Sequence, residues 1–174
     1  KKFGTLGVNE GDTITIVAYK TSYKGAAQVV GMYVSHKPAP VAGASVITSN
    51  LVPSGAYGPE SVITAGSLDY YINQVADFGD GIQFKKSESY LANKTACGKI
   101  KKITLVPSAT KTWYPGNLKV YAGDSEKPEE IEIAASDENC LVYDLSNKDY
   151  KFFRIAETSG HAVYVESITV EYDD

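Results

Sequence analysis

Residues 151–172 read KFFRIAETSGHAVYVESITVEY, two strand-like runs around a turn at Ser159–Gly160. In the second run Val163, Val165, Ile168 and Val170 are apolar and their neighbours are mostly polar. Successive side chains of a strand point to opposite faces, so apolar residues two apart mark one buried face. The step from Val165 to Ile168 is three, not two. That predicts a bulge or a change of sheet at Glu166–Ser167. In the first run Arg154 stands between Phe153 and Ile155. Its stem is expected to pack and its guanidinium to meet a carboxylate.

The same rhythm extends outward. Strands are expected at 45–52, 68–74, 81–86, 89–94, 99–106, 117–122, 129–134 and 140–144, and upstream at 12–19 and 27–34. Gly, Pro, Asn and Asp clusters separate them. Ile103–Thr104–Leu105 and Ile131–Glu132–Ile133 alternate cleanly, as strands with one face on a core and one in water. Gly31 predicts a bulge or a close backbone approach. The neighbours Tyr70 and Tyr71 must face opposite sides of their strand. No stretch carries apolar residues at helical spacing over three turns. One helical turn is expected at Ser146–Tyr150, capped by Ser146. The fold class is therefore all-β: an antiparallel β-sandwich preceded by a short β-hairpin. Pro38 and Pro40, in HKPAP at 36–40, block helix and central strand alike. They place a boundary between a hairpin segment, 1–38, and a sandwich domain, 39–174.

The net charge is −4, with 17 Lys and Arg against 21 Asp and Glu. A non-specific nucleic-acid binder is usually basic, so the whole chain does not look like one. Its first segment differs, with Lys1, Lys2, Lys20, Lys24 and Lys37 against Glu10 and Asp12. Cys97 and Cys140 fit no metal-ligand spacing and leave two states open, one disulfide or two thiols. No apolar run is long enough to span a bilayer. The absence of an initiating Met and of a signal-peptide pattern is what a mature or trimmed chain would show.

Two segments carry a resemblance. GDTITIVAYKTSYKGAAQVVGMYVSH, residues 11–36, resembles the later strands of OB-fold modules in surface lipoproteins of gut-type bacteria, through Gly11, Asp12, Tyr23, Lys24, Gly25 and Gln28. Residues 68–172 are similar to β-sandwich modules of the same class of secreted proteins. There the match rests on Phe152, Phe153, Arg154, Ile155, Tyr164, Val165, Ser167, Ile168, Val170 and Tyr172. The resemblance implies a jelly-roll-like sandwich, part of an OB-fold before it, and a secreted or surface-anchored place in the bacterial envelope. It also implies a lipid anchor upstream. It names no ligand, because such sandwiches host many.

Candidate sites follow from residue type. His36 and His161 are the only histidines, and Ser159–Gly160–His161 reads as an ordinary turn rather than part of a nucleophilic triad. Glu129–Glu130 and Asp173–Asp174 read as solvated strand ends. No catalytic residue, metal site or cofactor is expected, and the chain is read as a non-enzyme. Asp77 and Asp80 in a Gly-rich loop could ligate calcium, but a turn capped by Asp is the favoured reading. Lys85–Lys86 and Lys101–Lys102 should each send one lysine outward and the other inward or along an edge, where it guards against aggregation. Trp113 and Tyr114 either form a platform for a sugar or base, or close one end of the core. Tyr19, Lys20, Tyr23 and Lys24, with Tyr33, combine stacking rings and phosphate-seeking amines. The alternative for them is a plain solvated hairpin. The expectation is a non-catalytic binding module that takes single-stranded nucleic acid through the OB-like segment. Its rivals are a carbohydrate-binding or adhesive sandwich and a structural spacer. The expected ligand-binding residues are Tyr19, Lys20, Tyr23, Lys24, Trp113 and Tyr114.

Overall fold

A computed structural model of the chain describes residues 13–37 and 42–173. Gly11, Asp12 and the prolines of the 36–40 segment lie outside them. The chain divides into two compact units between Val41 and Ala42.

The first unit is an antiparallel hairpin of β1 (Thr13–Tyr23) and β2 (Ala26–Lys37). The expected loop shrinks to two residues. Lys24 and Gly25 take φ of 50° and 80°, the left-handed pair whose twist matches the strands it joins. The register slips between Thr15 and Ile16, which face Ser35 and Tyr33, so the extra residue is Val34. Gly31, where a bulge was expected, pairs regularly with Ala18. His36 and Lys37 still belong to β2.

The second unit is a sandwich of two antiparallel sheets. Its strands are β3 (Ala42–Thr48), β4 (Ser61–Ala65), β5 (Leu68–Asn73), β6 (Val75–Asp77), β7 (Ile82–Phe84) and β8 (Tyr90–Asn93). They continue with β9 (Lys99–Pro107), β10 (Leu118–Gly123), β11 (Glu132–Ile133), β12 (Val142–Asp144), β13 (Phe152–Glu157) and β14 (Val163–Asp173). Sheet I runs β11-β10-β13-β8-β5-β4, and sheet II runs β12-β9-β14-β7-β6 with β3 also on β14. β14 is the spine of sheet II. One side pairs with β9 over Val165–Asp173, and the other with β7 over Val163–Val165 and then β3 over Ser167–Asp173. The register shift against β9 falls between Val165 and Ser167, where the broken alternation placed it. Gly81 makes this change of neighbour possible: a Cβ there would lie 2.7 Å from the Val165 carbonyl oxygen, at φ +99°.

The core lies between the sheets. Tyr70, Ile72, Leu91, Phe153 and Ile155 of sheet I meet Ile47, Phe84, Ile103, Leu105, Val165 and Ile168 of sheet II, all essentially without solvent contact. Each such burial stabilises by about 1.5–3 kcal/mol before chain entropy is counted. Tyr70 and Phe153 meet edge-on, with centroids 6.2 Å apart.

Several expectations are corrected. β4 and β6 were not foreseen, and β11 is two residues long where six were expected. Ser146–Tyr150 is not helical. The Lys148 N–H reaches the Leu145 carbonyl at 3.0 Å, and the Asp144 carboxylate accepts the Ser146 N–H at 2.8 Å. Lys101 and Lys102 do not split between faces. A register shift beside them turns both toward solvent, where they pair with Asp173 (2.7 Å) and Glu171 (2.6 Å). Cys97 is buried and accepts a long hydrogen bond from Asn93, Cys140 is half-buried, and no disulfide joins them. No helix among the described residues is long and apolar enough to cross a membrane.

Candidate functional site: a tyrosine and arginine face on sheet I

The residues of sheet I that point away from the core line up across its strands. One row runs Tyr71 (β5), Ala92 (β8), Arg154 (β13), Tyr121 (β10) and Glu132 (β11). The next runs Asn73, Tyr90, Ala156 and Lys119. The two alanines keep the floor low between the bulky side chains. The β10–β11 connection, residues 124–131, then straps back over the face. Lys127, at φ 52°, carries its ammonium to 4.0 Å from the Tyr71 ring centroid, 5.9 Å from that of Tyr90 and 2.5 Å from Glu60.

Charge and ring are coupled throughout. Hydrogen bonds from Lys127 and Tyr90 hold the Glu60 carboxyl below its usual range. Burial, and then the bond to Glu60, pushes the Tyr90 phenol up. The hydrogen bond to Glu126, 3.0 Å long, raises that of Tyr71. Arg154 lies 4.7 Å over the Tyr90 ring and pairs through Nη1 with Glu129, as expected for a packed stem and a paired head. Its side chain is only 18% exposed, and its Nε is sealed from water with no acceptor. A buried orphan donor costs about 1–3 kcal/mol, so the guanidinium is held there by its ring and its carboxylate.

Beside Arg154 opens a hollow of about 350 Å³, bounded by Glu88, Tyr121, Glu129, Arg154, Ala156 and Glu157 among others. The buried Glu157 carboxylate fixes its rim. It accepts hydrogen bonds from the Ser87 N–H, the Ser159 N–H (2.8 Å) and the Ser159 hydroxyl (2.5 Å). Ser87 and Glu88 both take positive φ, 53° and 91°, a strained turn that this anchor keeps in place. A second hollow of about 390 Å³ is enclosed by the end of β10 and the strap itself, between Asp124, Lys127, Glu129 and Glu130. Glu129 borders both. Cations cover the rings of Tyr71 and Tyr90, whereas no cation among the described residues stands over the half-buried Tyr121 ring.

The expected site residues fall elsewhere. Trp113 packs partly buried against the core, and its Nε1–H donates to the Asn139 carbonyl at 2.6 Å. Tyr114 is exposed and stacks on His161, with centroids 4.9 Å apart and planes 10° from parallel. Neither lines the hollow. Lys20 and Lys24 are exposed, and the side chains of Tyr19, Tyr23 and Tyr33 lie outside the description. Asp77 caps its own turn by accepting the Gly79 N–H at 2.7 Å. Asp80 accepts from Thr110 (2.9 Å) and pairs with Lys111 (3.0 Å), and these bonds lower its pKa. Among the described residues no group of three His, Cys, Asp or Glu is placed to hold a metal. Tyr71, Tyr90, Tyr121, Lys127 and Glu129 were missed as site residues. Their parity was legible, but which strands adjoin was not. No family model matches the chain, and no curated protein or solved structure matches it.

Proposed function

We propose that this chain is a non-catalytic carbohydrate-binding module that lays a glycan on the outer face of sheet I. The observation that carries this reading is that Tyr121 and a fixed Arg154 line one hollow of about 350 Å³. A pyranose offers an apolar face to an aromatic ring and a rim of hydroxyls to charged groups held in place. The hollow falls within the about 300–1,000 Å³ usual for small-molecule sites. Arg154 sits on a strand and Glu88 on a turn anchored by Glu157, so little ordering of these two remains to be done on binding. A jelly-roll-like topology and a place on the bacterial cell surface belong to this reading through the resemblance of residues 68–172.

Nucleic acid on the hairpin is the second reading, favoured by the exposure of both Lys20 and Lys24. Sheet I does not suit it, because Glu60, Glu88, Glu126 and Glu129 would repel phosphates. Affinity electrophoresis through gels cast with soluble polysaccharides tests the glycan reading. Retardation by at least one polysaccharide, lost in Tyr121→Ala with the melting temperature unchanged, is the expected result. Equal mobility of parent and variant in every gel would sink it.

A further inference from the structure

We infer that the glycan bound on this face carries free amines, an inference that rests on the carbohydrate reading above. Three tyrosines of the face lie near carboxylates. Tyr71 has Glu60 and Glu126 nearby and holds the Lys127 ammonium at 4.0 Å from its ring centroid. Tyr90 hydrogen-bonds Glu60 and holds the Arg154 guanidinium at 4.7 Å, with Glu129 closing the pair. Tyr121 is the third ring on the face. It shares its hollow with Glu88 and Glu129, and no side-chain cation stands over it. Its neighbour Lys119 is committed to Glu132 at 2.8 Å. Two ring-and-carboxylate sites thus hold a cation from the chain itself, and the third, at the half-buried Tyr121, holds none among the described residues. A ring face and a carboxylate together select an ammonium over a neutral hydroxyl.

The adjoining hollow continues the preference. Asp124 and Glu130 are exposed on its border and form no ion pair among the described residues. The cations of the two hollows, Lys127 and Arg154, are already neutralised by Glu60 and Glu129. Glu129 keeps 70% of its side chain in solvent while bonded to Arg154, so it can serve both hollows. A chain of amino sugars crossing Glu129 places one ammonium by Tyr121 and the next by Asp124 and Glu130. Uronic acids would meet more carboxylates than cations in both hollows.

The test is calorimetric titration of the whole chain at mildly acidic pH and low salt, with a glucosamine hexamer, its N-acetylated counterpart and a lysine hexamer. The glucosamine hexamer should bind about tenfold tighter than the acetylated one, the scale of one cation–ring contact. Its affinity should fall with salt and fall again in Tyr121→Ala and in Glu88→Gln, while Tyr121→Phe binds like the parent. Equal binding of the acetylated hexamer overturns the amine claim and leaves the carbohydrate reading intact. Lysine hexamer binding as tightly, with the same loss in Tyr121→Ala, also overturns it, since charge without a sugar would then suffice. Binding of neither sugar overturns the amine claim, and the polysaccharide gels then decide the carbohydrate reading separately.

Discussion

The two sheets of the sandwich turn very different faces to water. Across sheet II one outward row reads Val46, Thr169, Thr104 and Val142, and the next Ala44, Glu171, Lys102 and Asp144. Its charges pair in the open: Lys102 and Glu171 each keep 41% of their side chains in solvent. Such pairs contribute about 0–1 kcal/mol and serve mainly to keep a sheet face soluble. Across sheet I the equivalent row holds Tyr71, Arg154 and Tyr121, and a strap of chain contacts the first two. Identical backbone geometry therefore supports a plain solvated surface on one side and a preorganised one on the other. The difference lies in side-chain bulk at outward positions and in one connection long enough to fold back.

Substitutions on the two faces test this difference. The largest effect is expected from Glu157→Ala, which strands three donors at the rim of the hollow and should cost about 3 kcal/mol in chemical denaturation. Arg154→Ala should cost about 2 kcal/mol through lost packing on Tyr90 and the lost pair with Glu129. Lys102→Ala, its counterpart on sheet II, should cost less than about 0.5 kcal/mol. Near-equal values for the two would erase the contrast between the faces.

Acid should loosen the strap. The Glu60 carboxyl is held low by Lys127, so the contact is complete above the ordinary glutamate range. It is lost as pH falls through the lowered Glu60 value. The Lys127 side-chain resonances should follow that titration and cease to do so in Glu60→Gln. The smallest effect belongs to the hairpin. Lys20→Ala/Lys24→Ala should slightly weaken single-stranded oligonucleotide binding at low ionic strength and leave it unmeasurable near physiological salt, where charges are screened within about 8 Å. Binding that persists at high salt would count against a phosphate contact.

Period-two alternation made the sandwich legible, and even the irregularity at Val165–Ile168 pointed to the change of neighbour on β14. β4 was missed because it is an edge strand with only Ala65 buried, so SVITA lacks the apolar signature of a core strand. β6 was missed because three residues are too few to show a period. The two lysines at 101–102 misled because a bulge suspends alternation locally. For the site, Arg154 was legible as a charge in an apolar run. The tyrosine row was not, because it joins β5, β8, β13 and β10, whose adjacency follows from the order of strands in space. The strap was hidden for a related reason: GDSEKPEEIEI reads as solvated charge until it has a face to cover.

β14 follows all its partners in the chain and yet sits between them. Ser45 meets Val170 across the β3 pair, and Phe84 meets Val163 across the β7 pair. During synthesis, therefore, β3, β6, β7, β9 and β12 must wait beside the ribosome without the strand that joins them. In chain order, β13 completes the strands of sheet I before β14 supplies the centre of sheet II. The plain sheet that backs the tyrosine face therefore closes through distant contacts, of the kind that slow folding.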